Sequence, residues 1–227
     1  MSATTRPAFY SLAPGGWRDY VTLLHPPYTA WHLSYVVLGA ALAPEWRPGI
    51  LGLALGAFFL GMGVGAHALD ELQGRPLQTR IGKRTLLVLA SWSLVGAAAI
   101  GVGTAMYTSL GLLVFVAVGS FIAVAYNLEL FGGRFHGTLW FALGWGALPV
   151  LATYYAVAET IRAEAVVAAV FAALVSWTQR VLSTPVRLQR RQEGALKADG
   201  RQFELALRIL SAAMVALAVA LVLVRVT

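Results

Sequence analysis

The residues best suited to chemistry lie in the run His67-Ala-Leu-Asp-Glu71, which follows an apolar stretch long enough to cross a membrane as a helix. On a continuing helix, His67, Asp70 and Glu71 stand at i, i+3 and i+4 and share one face. Ionisable side chains at the edge of a membrane bundle are costly unless paired or hydrated, so they are candidates for function. The alternative is that the helix has left the membrane and the acids are solvated or paired with Arg75. The sequence predicts Asp70 and Glu71 as catalytic residues.

Metal chemistry at this run would take one of two forms. Imidazole and carboxylate groups at i and i+4 can share a transition-metal ion, and His136 is the further residue that would complete such a site. Alternatively, carboxylates hold Mg²⁺ while basic side chains hold the oxygens of a diphosphate. The predicted metal ligands are His67, Asp70 and Glu71. The chain has no cysteine, which excludes thiol catalysis, disulfides and thiolate metal sites.

Seven apolar stretches position these residues. They are Tyr28–Ala43, Ile50–Ala68, Leu86–Tyr107, Leu110–Tyr126, Leu139–Val157, Ala165–Trp177 and Leu205–Val224. Apolar runs of about 20 residues cross the hydrocarbon layer as helices. The sequence therefore predicts an all-α fold, a single transmembrane bundle of about seven spans over residues 28–227, after a cytoplasmic or interfacial leader over residues 1–27. The glycine pairs Gly52/Gly56 and Gly61/Gly65 predict close approach of another helix to the second stretch.

The basic residues are distributed unevenly between the two ends of these stretches. Of 17 Lys and Arg residues, 14 lie in the leader, in the connections that follow the second, fourth and sixth stretches, or at the adjoining ends of the stretches. The other three, Arg47, Arg162 and Arg225, lie at the opposite ends of the stretches. The most basic connection is the predicted loop Arg180–Gln202. Because basic loops stay in the cytoplasm, we expect a plasma-membrane protein with a cytoplasmic amino terminus and an outer carboxyl terminus. Topology and anionic lipid head groups account for the net charge of +7, so no nucleic-acid partner is expected.

Four stretches, in order along the chain, follow a family pattern. They are His25–Ala43, Asp70–Ile81 with its Arg75-Pro-Leu, the segment 125–155 with Ala125-Tyr-Asn, Phe135-His-Gly and Trp145-Gly-Ala-Leu-Pro-Val, and Ser183-Thr-Pro-Val-Arg-Leu188. In these stretches the chain resembles the UbiA-type superfamily of membrane prenyltransferases, most closely the menaquinone branch. The resemblance implies a UbiA-like helix bundle with a cavity that faces the cytoplasm.

The resemblance also implies an activity and a set of site residues. A prenyl diphosphate donor would bind with Mg²⁺, and its prenyl group would pass to a lipophilic ring or alcohol. Asp70 and Glu71 would lie at the diphosphate, and basic residues would hold its oxygens. Tyr126, Asn127 and His136 would line the acceptor side. The substrate-binding set is Arg75, Arg80, Lys83, Tyr126, Asn127, His136, Arg180 and Arg187.

The chain departs from the family pattern at both Asp-rich motifs. Asp70 and Glu71 are the only acids of the first motif, and the second, at Trp177–Arg180, has none. Two alternative functions follow. One is a catalytically inactive relative that binds a lipid or quinone-like lipophile, as an assembly subunit beside another membrane chain or a second copy of itself. The other is an isoprenoid cyclase-like or metal-assisted membrane enzyme. Membrane lipids are expected partners in each case.

Overall fold

The computed structural model describes residues 6–227, and every regular element within that range is a helix. The helices are α1 (Trp17–Leu23), α2 (Pro26–Leu42), α3 (Pro48–Gly74), α4 (Lys83–Tyr107), α5 (Leu112–Asn127), α6 (Thr138–Ala158), α7 (Ala163–Gln192) and α8 (Ala198–Val226). The seven predicted apolar stretches overlap α2 to α8 one for one. The prediction of an all-α helix bundle is confirmed.

Five helices are long and apolar enough to cross a membrane, namely α3, α4, α6, α7 and α8. The chain is therefore an integral membrane protein. Helix α5 is apolar but shorter, with 16 residues, and α2 has 17 residues. Membrane crossing by α2 and α5, and with it the count of seven spans, stays a prediction.

Helix α2 lies at the centre of the bundle because it is apolar or small on every side, which favours burial all round. Every residue from Ser34 to Ala41 is buried, and α2 packs against α3, α6, α7 and α8. The contact with α6 is closest at Gly39. A Cβ built on this glycine would lie 3.1 Å from the Val150 Cα and closer still to its carbonyl oxygen. Only glycine fits this crossing without moving a backbone.

The glycine pairs of α3 differ from one another. A Cβ on Gly65 would lie 2.9 Å from the Leu94 side chain, and one on Gly61 would also contact α4. By contrast, Gly52 faces open space, and Gly56 has only an ordinary contact. Close packing is thus confirmed at Gly61/Gly65 and wrong at Gly52/Gly56, because Gly52 faces no neighbouring helix and Gly56 only reaches the end of the Ile100 side chain.

The predicted loop Arg180–Gln202 is wrong over most of its length. Helix α7 continues through Pro185 to Gln192, and only residues 193–197 separate it from α8. Hydropathy indicates where a chain leaves the hydrocarbon layer and does not indicate where its helix ends. The extension is rich in Leu, Gln and Arg, which are good helix formers in water.

Two helices contain π-helical segments, Phe59–Ala66 in α3 and Ala142–Ala147 in α6. A π segment shifts the backbone hydrogen-bond pattern by one residue, and such segments are frequent at functional sites. Both segments lie beside histidines. His67 directly follows the first, and Trp145 in the second contacts His32 of α2.

Candidate functional site

A polar cavity of about 450 Å³ lies at one end of the bundle, where the leader, the ends of α3 and α5 and the extension of α7 meet. All four histidines of the chain line this cavity. Asp70 lines it from α3, and three arginines, Arg180, Arg187 and Arg191, line it from α7. Segments that are far apart in sequence therefore contribute one concentrated set of ionisable side chains.

The structure brings most of the predicted site residues together at this polar cavity. Those that line it are His67, Asp70, Tyr126, Asn127, His136, Arg180 and Arg187. Those that do not are Glu71, Arg75, Arg80 and Lys83. The sequence interpretation missed His25 and His32, which are seven residues apart. No local pattern marks them, because each is a lone histidine in or directly before an apolar stretch.

Glu71 is fully buried and serves the connection after α3 instead of the cavity. Its carboxylate accepts hydrogen bonds from the Leu77 N–H at 3.0 Å and from the Thr79 N–H and hydroxyl at 2.8 Å each. The chain folds back after Gly74, so these amides would otherwise lack an acceptor. The expected shared face of Asp70 and Glu71 is corrected here, since neighbouring residues on a helix point about 100° apart and only Asp70 lines the cavity.

The three basic residues of the same connection also lie outside the cavity. The Arg75 guanidinium donates to the carbonyls of Thr79 at 2.8 Å and Ile81 at 2.9 Å, and so holds the connection in shape. The side chains of Arg80 and Lys83 are exposed. Their expected role in diphosphate binding finds no support in this geometry, because Arg75 is already used by the backbone and the other two point to solvent.

A row of arginines forms one wall of the cavity. The extension of α7 places Arg180, Arg187 and Arg191 at i, i+7 and i+11, on one helical face. Arg190 points about 100° away from Arg191 around the helix, and it donates to Glu204 of α8 at 2.5 Å. Guanidinium groups bind phosphate oxygens through paired hydrogen bonds. This arginine wall therefore suits an anionic head group.

Tyr126 of α5 links the arginine wall to His136. Its hydroxyl accepts a hydrogen bond from Arg180, whose guanidinium lies 5.5 Å from the centre of the ring. The His136 imidazole stacks on Tyr126 with centroids 4.5 Å apart, and its Nδ1–H donates to the Tyr126 carbonyl at 2.9 Å. The neighbouring Asn127 is buried and donates to the Ala123 carbonyl of its own helix at 2.7 Å.

His32 and His67 are held in fixed orientations by the π-helical segments. The Nδ1 atom of His32 lies 3.0 Å from the Trp145 carbonyl oxygen, and that of His67 lies 3.0 Å from the Gly63 carbonyl oxygen. A carbonyl oxygen only accepts, so both Nδ1 atoms carry the proton. In a neutral ring the lone pair then belongs to Nε2.

His25 begins α2 with a left-handed backbone, φ +46°, directly before Pro26. Its ring stacks on His67 with centroids 4.1 Å apart, and its Nδ1 lies 2.7 Å from the Tyr10 hydroxyl. Burial, and next the neighbouring His67, lowers the pKa of His25 well below its ordinary value, and burial raises the pKa of Tyr10. Tyr10 is therefore the donor in this bond. The His25 Nε2–H is buried without a partner in residues 6–227.

Asp70 is the carboxylate best placed to meet a ligand. It forms no ion pair within the described part of the chain, whereas Glu204 is bound to Arg190 and Arg208, and Glu129 is exposed. Among residues 6–227 no group of three His, Asp or Glu residues is arranged to hold a metal ion. The donor set therefore does not fit the Mg²⁺ site rich in carboxylates that the family resemblance implies.

An apolar cavity of about 120 Å³ lies between α3, α4, α5 and α6. Its lining consists mostly of Leu, Ala, Gly, Phe and Val residues. Trp145 lines both cavities, and a narrow cleft bordered by His32, Met62 and Trp145 lies between them. This arrangement suits a ligand with a polar head and an apolar chain.

Comparison with protein-family models, with curated proteins and with solved structures gives no match to this chain.

Proposed function

We propose that this protein is a UbiA-like membrane protein that binds a prenyl diphosphate and transfers its prenyl group to a lipophilic acceptor. The observation that carries the proposal is the position of Trp145, which borders both the polar and the apolar cavity. A single ligand would place its charged head among the arginines and its hydrocarbon chain between the helices, with the narrow cleft at His32, Met62 and Trp145 widening to admit it.

The arginine wall supplies the charge that a diphosphate needs. As the bond between the diphosphate and the prenyl carbon breaks, negative charge grows on the leaving oxygen, and fixed cations lower the energy of that state. Arg187 and Arg191 have no carboxylate partner in the described residues. We assign the neutralisation of the leaving group to these arginines, and no step passes through a metal ion.

The apolar cavity supplies most of the binding free energy for the chain. Each buried CH₂ group contributes about 0.8 kcal/mol, so even a chain of two isoprene units gains several kcal/mol. The lining is apolar, with side chains such as Leu53, Phe58 and Phe115 facing the space between the helices. The head group would then fix the position of the reacting carbon at the Trp145 end of this cavity.

Two measurements test the proposal. Purified protein with labelled geranylgeranyl diphosphate and a membrane lipid extract is expected to form a new labelled lipid. Asp70→Ala is expected to abolish it, because Asp70 is the carboxylate placed to take the proton that the acceptor loses as the prenyl group is transferred. Arg187→Gln should weaken binding of the diphosphate by about tenfold or more, because hydrogen bonds to charged groups contribute about 1.5–3 kcal/mol. Arg84→Gln is the matched control, because it removes an exposed charge on the same predicted side of the membrane. Equal effects of the two Arg variants, or no binding by the wild type, would contradict the proposal.

A second candidate is a lipid- or quinone-binding subunit without transferase activity. The sparse carboxylates favour it, since Asp70 is the only acid in the described cavity lining that is neither paired nor exposed. Binding of the diphosphate without product, together with copurification of a second membrane protein, would support this candidate over the transferase.

A further inference from the structure

We propose that the exposed surface formed by α1, the residues just before α4 and the first turn of α4 binds the head groups of anionic phospholipids. The aromatic residues of this α1/α4 surface are Trp17 and Tyr20, and its basic residues are Arg18, Arg80, Lys83 and Arg84. None of these residues lines the polar or the apolar cavity. Lipid binding at this surface is therefore separate from the proposed function and does not depend on it.

Asp19 holds α1 against the connection that precedes α4. Its carboxylate accepts a hydrogen bond from the Gly15 N–H at 2.9 Å and another from the Arg80 N–H at 2.8 Å. Asp19 is buried, and it is the only acid in residues 13–24 and 78–89. It forms no ion pair in the described part of the chain. This carboxylate therefore positions the backbone and leaves the basic side chains around it available to a ligand.

Leu23 attaches the inner face of α1 to the same part of the bundle. It is buried in an apolar cluster with Ile81, Leu86 and neighbouring residues of α3 and α4. Helix α1 has seven residues, and a helix of that length is not stable in water by itself. The contacts of Asp19 and Leu23 thus keep α1 in place and bring Arg18 close to the basic start of α4, although the two are far apart in the sequence.

The level of the α1/α4 surface along the bundle matches the head-group layer of a membrane. The apolar part of α4 begins at Leu86, so Lys83 and Arg84 lie within one turn of the hydrocarbon layer. Trp17 is 70% exposed and Tyr20 46%. Trp and Tyr side chains are enriched at the boundary between lipid and water. Exposed aromatic and basic side chains on one short helix are typical of segments that lie in this boundary.

The charge of the surface selects the kind of head group. None of its four basic residues forms an ion pair within the described residues. Each Lys or Arg near a membrane surface favours an anionic lipid by about fivefold. A choline head group carries its own cation beside the phosphate and gains no net attraction. Phosphatidylglycerol presents a phosphate without a competing cation, and guanidinium groups bind phosphate oxygens through paired hydrogen bonds.

The test identifies the lipid that lies next to Trp17. Full-length protein is reconstituted in phosphatidylcholine vesicles that contain a minority of phosphatidylglycerol, with bromine atoms near the head-group end of the acyl chains of one lipid or the other. Bromine quenches the fluorescence of tryptophans in contact with that lipid, and the difference between the wild type and Trp17→Phe isolates the signal of Trp17. Phosphatidylglycerol is expected to be preferred there by about fivefold or more.

Substitutions of exposed basic residues test which charges are responsible. Arg80→Gln combined with Lys83→Gln should reduce the preference at Trp17 to about twofold or less. Arg134→Gln is the matched control, because it removes an exposed charge on the same predicted side of the membrane but outside the α1/α4 surface. It should leave the preference unchanged.

Asp19→Ala separates a shaped binding surface from general attraction by net charge. The substitution makes the chain more positive, so general attraction would increase the preference for phosphatidylglycerol. Release of α1 from the Arg80 amide should instead lower the preference at Trp17 to about twofold or less. If Asp19→Ala does not fold, Arg18→Gln decides, because this exposed substitution leaves the packing of α1 intact and should also lower the preference.

Three results would overturn the lipid assignment. The first is equal quenching of Trp17 by the two brominated lipids in the wild type. The second is an equal loss of preference in Arg134→Gln and in the Arg80 and Lys83 double variant. The third is a preference that rises in Asp19→Ala, since the surface would then act through net charge alone.

Discussion

Asp70 and Glu71 are adjacent acids with opposite environments. Glu71 accepts three hydrogen bonds from the connection that follows α3, and none of its surface is exposed. Asp70 lines the cavity and has no ion-pair partner in the described residues. One residue therefore maintains the fold at this point, and its neighbour is free to meet a ligand.

Removal of these two acids should have different consequences for stability. Glu71→Ala leaves the Leu77 and Thr79 amides without an acceptor and should lower the free energy of unfolding by about 2–3 kcal/mol. Asp70→Ala, the matched control, should leave it unchanged or raise it, because an unpaired, half-buried carboxylate opposes folding. Unfolding by SDS in mixed micelles measures both. Equal destabilisation by the two variants would mean that Asp70 also supports the fold.

The spacing of residues predicted part of this site and could not predict the rest. Asp70, Tyr126, His136, Arg180 and Arg187 were expected at one cavity and line it. The distinction between Asp70 and Glu71 depends on how the chain folds back after α3, which no local pattern encodes. His25 and His32 were missed because a lone histidine in an apolar stretch has no partner that is visible in the sequence.

At the scale of the helices, hydropathy predicted which segments are helical but not how they end or meet. The extension of α7 beyond its apolar part has a polar sequence, and this extension carries Arg187 and Arg191. The central position of α2 follows from burial on all sides. Which glycine permits a given helix contact depends on where the two helices cross, and the sequence of one helix does not determine that position.

Gly39 and Gly52 provide a matched pair for the packing of α2 and α3. Gly39→Ala places a methyl group against the Val150 backbone and should destabilise the bundle by about 1–3 kcal/mol, because a helix must move. Gly52→Ala meets open space and should be neutral or stabilising by up to about 1 kcal/mol, through helix propensity alone. The same unfolding assay compares them. A neutral Gly39→Ala would show that α2 and α6 are not in close contact.

At the scale of the whole molecule, the segments predicted to face the cytoplasm gather at one end of the bundle. The polar cavity is lined by the leader, by the end of α3, by the segment after α5 and by the extension of α7. Each of these was assigned to the same side of the membrane from its basic residues alone. The fold thus collects on one surface the charges that the sequence distributes over four separate connections.

The orientation of this surface can be tested directly, because the chain has no cysteine and single cysteines can be introduced without background. Arg80→Cys and Ala195→Cys lie in exposed positions near the cavity end, and Ala163→Cys is exposed at the start of α7. A membrane-impermeant maleimide should label the first two in inside-out vesicles only and the third in intact cells only. This follows because basic connections are retained in the cytoplasm. Labelling of Arg80→Cys and Ala195→Cys from opposite sides would place the walls of the polar cavity on different faces of the membrane, and a shared ligand site would then be excluded.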